Sequence, residues 1–372
     1  MQYLEAFKKF DIYIVESLLL IQVIGLIGIY SASYSEGSIL IFKQIFYILC
    51  GWLIILLLPK INPKVLFDLS LSFYLFNLFL IILVFLFGKT VYGAKRWLDL
   101  GLFYIQPTEF MKFSLLLLSA HIISQIKKPF CRESLLLFIM VLIPFLLTVK
   151  QPDLGTAVTF IVPVLFMIYA RGIRFRYIIG GIVCLAIITP IGWFFLKPYQ
   201  KERIYAVLDP YGNYTGSGYQ TVQSIITIGS GGLFGKGLLE GTQAHLLFLP
   251  EKHTDFIFSL IGEELGFAGT FSLTLAFFIL LFRILTHAYS IRAYPEQLFI
   301  VGVFSLLFFQ VSVNILMTVG FMPVVGIPLP FVSFGGSSII TFSLIIGTLF
   351  SIIKEHKSRK IVFDLEKEIN YE

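Results

Sequence analysis

The sequence has little charge for its length. Asp, Glu, Lys and Arg make up 13% of the 372 residues, whereas hydrophobic residues make up 57% and the mean hydropathy is +0.89. A soluble globular domain carries about 25% charged residues. This shortage of charge excludes a soluble domain and indicates a protein that is surrounded by lipid.

Cysteine is also scarce, and the histidines are scattered. Cys50, Cys131 and Cys184 lie in or beside apolar runs and have neither metal-site spacing nor the pattern of a disulfide framework. His245 and His253 lie eight positions apart with no third ligand at a convincing spacing. The sequence therefore shows no metal cluster and no disulfide scaffold.

Long apolar runs are what the sequence has in abundance. Ten of them approach the length of about 20 residues that a membrane-spanning helix needs. A chain in lipid must pair its backbone polar groups internally, which favours helices. We therefore expect an all-α polytopic membrane protein, a single integral membrane domain over residues 1–372. We expect about ten transmembrane helices, roughly at 12–31, 38–58, 66–88, 107–125, 134–149, 154–170, 177–196, 256–282, 297–320 and 333–353.

The basic residues predict the orientation of these helices. Of the 28 Lys and Arg residues, 17 fall on one side and ten on the other, and the side richer in them faces the cytoplasm. Both termini are then cytoplasmic, and the long loop of about 197–255 between helices 7 and 8 is extracytoplasmic. The net charge of +6 lies mainly where anionic lipid headgroups attract it, which does not indicate a nucleic-acid partner.

A glycine-rich stretch of that loop, GSGGLFGKG at 229–237, resembles a nucleotide-binding loop but does not match one. The phosphate-binding pattern needs Gly at position 230 and Ser or Thr at position 237, where the chain has Ser230 and Gly237. Its glycines permit tight turns and close backbone approach. Such an approach serves either plain loop packing or the binding of an anionic headgroup, for which Lys236 lies nearby.

Charged residues cluster in the outer stretch 92–113, which ends inside the fourth helix. Arg96 offers a planar fork suited to phosphate oxygens, either of a lipid headgroup or of a substrate. Glu109 and Lys112 lie three apart on one helix face, and Lys112 lies about 7–8 Å down the helix. A charge at that depth indicates a functional site by default, and a structural Glu–Lys pair is the alternative.

Two aspartates stand where the outer loops enter helices. Asp153 lies at the outer mouth of the sixth helix, where it can serve as an N-cap, as a site residue or as both. Asp255 lies before the eighth helix, and a cap formed by Thr254 or Asp255 would explain this carboxylate too. Both residues are therefore candidates for chemistry as well as for capping.

A stripe of small residues runs down the helix face beneath Asp255. At about 100° per residue, four of them fall within about 40° of it: Ser259, Gly262, Gly266 and Gly269. Glu263 lies about 80° round and about 12 Å deeper. Another helix or a lipid chain can occupy such a groove. These residues alone leave both a transporter and an enzyme open.

The motifs of the chain resemble those of a known family along nearly its whole length. They include IYSAS (29–33), GAKRWLDLG (93–101), QPTEFMK (106–112), QPDLGTA (151–157), QSIITIGSGGLFGKG (223–237), FLPEKHTDFIFSLIGEELGF (248–267) and LPFVSFGGSS (329–338). Together they resemble the SEDS family of shape, elongation, division and sporulation proteins. The GTQ before FLPEKHTDF is similar to the RodA-like elongation branch.

The resemblance implies a peptidoglycan glycosyltransferase. Such a protein joins lipid II disaccharides through β-1,4 bonds on the outer face of the bacterial cytoplasmic (inner) membrane and so supports cell elongation and rod shape. It works with a class B penicillin-binding protein, a transpeptidase, and with other membrane proteins of the elongation complex. A lipid II flippase and a non-catalytic scaffold for the transpeptidase are the alternatives.

The resemblance also implies roles for particular residues. Asp255 is expected to be the catalytic general base, and no cofactor is certain, although a divalent cation stays open. The departing pyrophosphate needs preplaced cations, which we expect to be Arg96 and Lys112, followed by Lys236. Three further residues are expected to orient the sugar or to support these cations: Asp153, Gln223 and Glu263.

Overall fold

The computed structural model describes residues 10–34, 39–91, 94–99, 101, 103–128, 131–172, 180, 194, 198–209, 217–242, 251–291 and 293–369. Helices dominate these residues. In chain order they are α1 Ile12–Ser33, α2 Ile39–Leu57, α3 Pro63–Asp68, α4 Ser70–Phe87, α5 Pro107–Gln125, α6 Arg132–Lys150, α7 Leu154–Ala170, α8 Pro198–Leu208, α9 Ser217–Ser230, α10 Ile257–Ser290, α11 Tyr294–Thr318 and α12 Gly336–Ile369.

The helices have the length and composition of a multi-pass membrane protein. Within the described residues, seven are long and apolar enough to cross a membrane, and α7 is a shorter apolar helix. The predicted span at 66–88 is divided at Leu69 between α3 and α4. The predicted span at 177–196 lies almost entirely outside the described residues, so the count of ten helices stays a prediction.

Helix α5 coincides with the predicted span 107–125 but is not one of those seven helices. Pro107 begins it, as suits a first helical turn. Fifteen of its 19 residues are buried, polar ones among them, because α4, α6, α7, α11 and α12 pack around it. A helix enclosed by protein does not need the apolar surface that lipid demands.

A small antiparallel sheet, which the sequence did not predict, accompanies the helices. Its strands are β1 Lys89–Val91, β2 Ala94–Asp99 and β3 Tyr104–Ile105, and they pair in the order β1-β2-β3. Lys89 lies opposite Trp97, and Leu98 lies opposite Ile105. Strands of two to six residues are too short to produce a recognisable alternation in the sequence. The sheet matters for function because β2 carries Arg96.

Helix α10 is broken at Gly266, which corrects the expectation of one continuous span at 256–282. Gly266 has φ 65° and ψ −161°, so two helical segments meet there. The backbone groups freed by the break are bonded by the glycine-rich loop. Four hydrogen bonds do this: Lys236 N to Glu263 O (3.0 Å), Gly237 N to Glu264 O (3.2 Å), Phe267 N to Gly232 O (2.9 Å) and Ala268 N to Leu233 O (3.0 Å).

The glycines of this loop are required by the closeness of the two backbones. A Cβ on Gly231 would collide with the Gly262 carbonyl, and one on Gly235 would collide with the Glu264 carbonyl. A Cβ on Gly266 would likewise collide with the backbone nitrogen of Gly235. The glycine-rich loop therefore packs on the break in α10, as in the packing alternative.

A helix fills the groove predicted beneath Asp255. The hydroxyl of Ser259 lies 2.7 Å from that of Ser224 on α9, and a Cβ on Gly262 would lie 3.3 Å from the side chain of Ile228 on the same helix. Gly269 lies beyond the break, so a helical wheel drawn from Asp255 does not extend to it. Ser259 and Gly262 of the stripe thus form a packing surface for α9, whereas Gly266 packs against the glycine-rich loop.

Candidate active site

Asp255 stands just before α10 but does not cap it. The N-cap position is Phe256, and no side chain caps the helix. The backbone carbonyl of Asp255 accepts a hydrogen bond from Asn314 Nδ2 at 3.1 Å. A Cβ placed on Gly326 would lie 3.5 Å from Asp255 Oδ2. The capping explanation therefore fails for this carboxylate, which remains available for chemistry.

The environment of Asp255 changes its acidity. Burial is the largest effect and, together with repulsion from Glu251 and Asp153, it raises the pKa of Asp255 to about 7. The positive charges of Arg203 and Arg96 act in the opposite direction. A carboxyl group with a pKa near neutrality can accept and release a proton at physiological pH. This acidity is what a general base requires.

Arg96 is held beside this aspartate by α7 and the turn before it. Its Nε donates to Gln151 O at 3.1 Å, its Nη2 donates to Pro152 O, and its Nη1 lies 3.7 Å from Asp153 Oδ2. Its side chain is 29% exposed, so part of the guanidinium can meet a ligand. The predicted residues Arg96, Asp153 and Asp255 are thus brought together.

Asp153 caps α7 and also contacts Arg96, so its position is compatible with both of the roles that the sequence left open. Its Oδ1 accepts from Thr156 N at 3.2 Å and so caps α7. Its Oδ2 faces Arg96 and also accepts from Gln106 Nε2 at 3.3 Å. One carboxylate therefore joins the helix start, the sheet and the start of α5.

Two charged residues of the site were not predicted. Arg203 on α8 and Glu251 in the loop before α10 both act on the acidity of Asp255. Glu251 has φ 53°, in the left-handed region, and its Oε2 accepts from Thr254 Oγ1 at 3.0 Å. The only sequence signal was their place in the stretch 197–255, predicted as an outer loop, which does not reveal which residues fold toward Asp255.

Lys112 is paired inside the bundle. Its Nζ lies 2.6 Å from Glu109 Oε1, and the two side chains are 1% and 3% exposed. The ring of Phe342 lies 5.8 Å from Nζ on another side. Lys112 is not among the charges that act most on Asp255. Its geometry is that of the Glu–Lys pair given above as the alternative.

Lys236 forms a third pair of this kind. Its Nζ lies 2.6 Å from Glu263 Oε1 and 2.9 Å from Thr242 Oγ1. Glu263 is fully buried, whereas the Lys236 side chain is 27% exposed. Gln223 is buried on α9, and its backbone carbonyl accepts a hydrogen bond from Thr227 Oγ1. These residues belong to the contact between α9, the glycine-rich loop and the first half of α10.

The described part of the chain holds no group of three or more His, Cys, Asp or Glu side chains arranged to bind a metal ion. The carboxylates of Asp153 and Glu251 raise the pKa of Asp255 through their charge. Asp153 is also occupied by Arg96 and by the start of α7.

Comparisons with known proteins give consistent results. Residues 11–358 match the family model described as cell cycle protein, whose name combines FtsW, RodA and SpoVE. The peptidoglycan glycosyltransferase MrdB of Escherichia coli K12 is 38% identical over 347 residues, which cover 93% of this chain and 93% of MrdB.

Solved structures resemble the fold over the same extent. A chain from a peptidoglycan synthase complex, studied for its coordination of polymerization and crosslinking, has a TM-score of 0.81 at 32% identity and covers 93% of this chain and 98% of its own length. The rod shape determining protein RodA of Thermus thermophilus has a TM-score of 0.70 at 28% identity, with 93% and 97% covered.

Proposed function

The chain belongs to the cell cycle protein family of FtsW, RodA and SpoVE, and on that basis we propose how its residues carry out the reaction. It is a peptidoglycan glycosyltransferase that polymerises glycan strands for the cell wall, and its apolar helices make it a multi-pass membrane protein.

Asp255 is the general base. It removes the proton from the 4-hydroxyl of the acceptor sugar as that oxygen attacks the anomeric carbon of the donor. The α-linked donor is inverted to a β-1,4 bond, and the pyrophosphate leaves without needing a proton. One carboxylate therefore suffices, in contrast to glycoside hydrolysis, where two share acid and base duties. The observation that carries this assignment is a carboxylate with a pKa of about 7 that caps no helix.

Cations stabilise the charge that develops on the leaving pyrophosphate. Arg96 is the first of them, because it is partly exposed and acts directly on Asp255. Lys112 and Lys236 support Arg96 more remotely. Each of the three is held by a carboxylate, namely Asp153, Glu109 and Glu263 respectively. Gln223 orients the sugar from α9.

The substrate is lipid II, and the reaction takes place on the outer face of the bacterial inner membrane. About ten helices cross that membrane with both termini in the cytoplasm, and the long loop of about 197–255 lies outside. The partner is a class B penicillin-binding protein, accompanied by other elongation-complex proteins. The relative in a peptidoglycan synthase complex supports a crosslinking partner, and the similarity to a rod shape determining protein supports a role in rod shape.

The test is polymerisation of lipid II by the purified protein together with its transpeptidase. Asp255→Asn keeps the shape of the side chain but removes the base, so we expect the rate to fall by about 100-fold or more. Asp209→Asn is the matched control, since Asp209 is an exposed aspartate of the same outer loop, and its rate should stay near that of the wild type.

Partner binding and melting temperature would be measured for both variants, so that a folding defect is recognised. Full polymerisation by folded Asp255→Asn would contradict the general-base assignment. It would leave Asp255 with a structural role, and the base would have to be sought among the other carboxylates near Arg96.

A further inference from the structure

Polar side chains are buried in the bundle beneath the outer site. Thr108, Glu109 and Lys112 lie in the first turns of α5, and Gln310 lies in α11; none is more than 2% exposed. Buried polar groups in folded proteins are nearly always hydrogen-bonded, either to protein or to ordered water. Any of these polar groups that lacks a protein partner is therefore expected to bind ordered water.

Helices α5 and α11 run in opposite directions. Gln106, just before α5, bonds to Asp153 near Asp255. Asn314, in the last turns of α11, bonds to the carbonyl of Asp255 itself. The start of one helix and the end of the other thus lie at the level of the outer site.

Two contacts fix the register of these antiparallel helices. A Cβ on Gly302 would lie 2.8 Å from the Leu116 side chain, and Leu306 lines one cavity together with Lys112. Leu306 lies four residues after Gly302 in α11, and Lys112 lies four residues before Leu116 in α5. The second pair is therefore displaced from the first by about 6 Å along each helix. A further four residues along each helix places Gln310 of α11 at the level of Thr108, in the first turn of α5.

Polar atoms at this level have no hydrogen-bond partner among the described residues. They are Thr108 Oγ1, Glu109 Oε2 and both Oε1 and Nε2 of Gln310. Lys112 Nζ donates to Glu109 Oε1 at 2.6 Å, and its ammonium has three protons to donate. The cluster therefore combines acceptors and donors that the surrounding protein does not satisfy.

The charge of the cluster decides which ligand it suits. Glu109 and Lys112 together are neutral, so either a metal cation or an anion would leave a net charge in a low-dielectric interior, which is strongly unfavourable. Water is neutral and can both donate and accept. A cavity of about 10 Å³ lies directly beside Lys112, where it is bounded mainly by apolar side chains of α5 and α7 and by Leu306 of α11. This is about the room that one water molecule needs.

We propose that Thr108, Glu109, Lys112 and Gln310 form a buried hydration site that holds ordered water between α5 and α11. The water solvates the Glu109–Lys112 pair inside the bundle. Asn314 lies one turn beyond Gln310, and its Oδ1 also lacks a partner among the described residues, so the polar contacts extend toward the backbone of Asp255.

X-ray radiolysis tests for the water directly, because radicals formed from bound water oxidise the side chains beside it. Phe342 borders Lys112 and is 0% exposed, and Phe277 is 1% exposed in the apolar core. We expect Phe342 to be oxidised several-fold faster than Phe277 in the intact protein. Gln310→Met, which has nearly the same shape but cannot hold water, should remove most of this difference.

Melting temperature provides the second measurement. If Gln310 binds water, Gln310→Met removes the hydrogen bonds between its amide and the water and leaves neighbouring polar groups unsatisfied. The melting temperature then falls by several degrees. If the site is dry, the same change removes an unpaired amide and the melting temperature rises. Ser305→Ala is the control, because the Ser305 hydroxyl is buried in the same helix and already bonds to Gly302 O.

A rise in the melting temperature of Gln310→Met would overturn the proposal. So would equal oxidation of Phe342 and Phe277 in the wild type. Both measurements use the full chain in detergent or nanodiscs and need no polymerisation assay, so they remain informative whatever the role of Asp255.

Discussion

At the scale of single residues, the surroundings of Asp255 matter more than its identity. An aspartate with its ordinary pKa of 3.8 is ionised but is a weak base, whereas burial, Glu251 and Asp153 raise the pKa of this one to about 7. The shift also affects stability. The folded protein favours the protonated form, so the stability that Asp255 contributes is present below about pH 4 and is lost as the pH rises toward 7.

The pH dependence of polymerisation should follow this carboxyl group. A general base must be ionised, so we expect the rate to rise with pH and to level off above about 7. Glu251→Gln removes a negative charge that raises the pKa of Asp255, and should move the rising limb to lower pH. The measurement is kcat as a function of pH with purified protein and lipid II.

Glu240→Gln is the control for that experiment, because Glu240 is an exposed carboxylate of the same predicted loop. Its profile should coincide with that of the wild type. An unmoved limb in Glu251→Gln, or one moved to higher pH, would contradict the assignment of this limb to Asp255.

At the scale of elements, the break in α10 determines where Asp255 stands. The segment from Ile257 to Leu265 follows Asp255 and is held by α9 and the glycine-rich loop, whereas the segment beyond Gly266 has the length of a membrane span. Helix geometry alone would carry the chain straight on. The loop stabilises the break because it bonds the backbone groups that the break leaves free.

Gly235→Ala should disturb this element. Gly235 has φ 82°, and its Cβ would collide with the Glu264 carbonyl, so we expect a loss of stability of about 2 kcal/mol or more. The polymerisation rate should fall as well, because the half-helix that follows Asp255 shifts. Melting temperature and rate would be measured on the same preparation.

Gly229→Ala is a close control in the same stretch. Gly229 is the penultimate residue of α9, is exposed, and has nothing within 4 Å of its Cβ position. Alanine favours a helix over glycine by roughly 0.5–1 kcal/mol, so this variant should be as stable as the wild type or slightly more so. Equal behaviour of the two variants would show that the loop does not hold the break.

At the scale of the whole molecule, the two ends of α10 are fixed by different devices. Asp255 precedes the N-terminal end. Near the C-terminal end, Arg283 and His287 both bond to Asp11 Oδ2, at 2.6 and 2.7 Å. Burial alone would raise the pKa of Asp11, but the hydrogen bonds from His287 and Arg283 outweigh it and hold the pKa well below its usual range. Asp11 also caps α1 through Tyr13 N, so it joins the first helix to α10.

Asp11→Asn should weaken this junction. Asparagine still caps a helix well but loses the charge that pairs with Arg283 and His287, so we expect a loss of about 2 kcal/mol at neutral pH. The lowered pKa means that the stability from Asp11 is present above pH 4 and is lost as the pH falls below it. The difference in melting temperature between variant and wild type should therefore shrink in acid.

Asp68→Asn serves as the comparison, since Asp68 is an exposed aspartate and should change the melting temperature little. An Asp11→Asn protein as stable as the wild type at pH 7 would mean that the cluster contributes nothing to the docking of α1 on α10.

The described helices were largely predictable because lipid imposes a local rule. A span that faces lipid must be apolar whatever it packs against, so the runs in the sequence mark α1, α2, α4, α6, α7, α11 and much of α12. The same rule misjudged α10, where Gly266 breaks the helix. The rule does not predict the small sheet, because the strands of that sheet are held together by hydrogen bonds between backbone groups.

The sequence by itself determined that this is a membrane protein of the SEDS type with a carboxylate, Asp255, at the start of its eighth predicted span. Only the tertiary structure decided that this carboxylate caps no helix and that Arg203 and Glu251 lie close enough to change its acidity. The physical reason is distance along the chain. Hydrophobic runs are local, whereas the bonds of Asn314 to Asp255 and of Arg283 to Asp11 join residues 59 and 272 positions apart, which folding alone brings together.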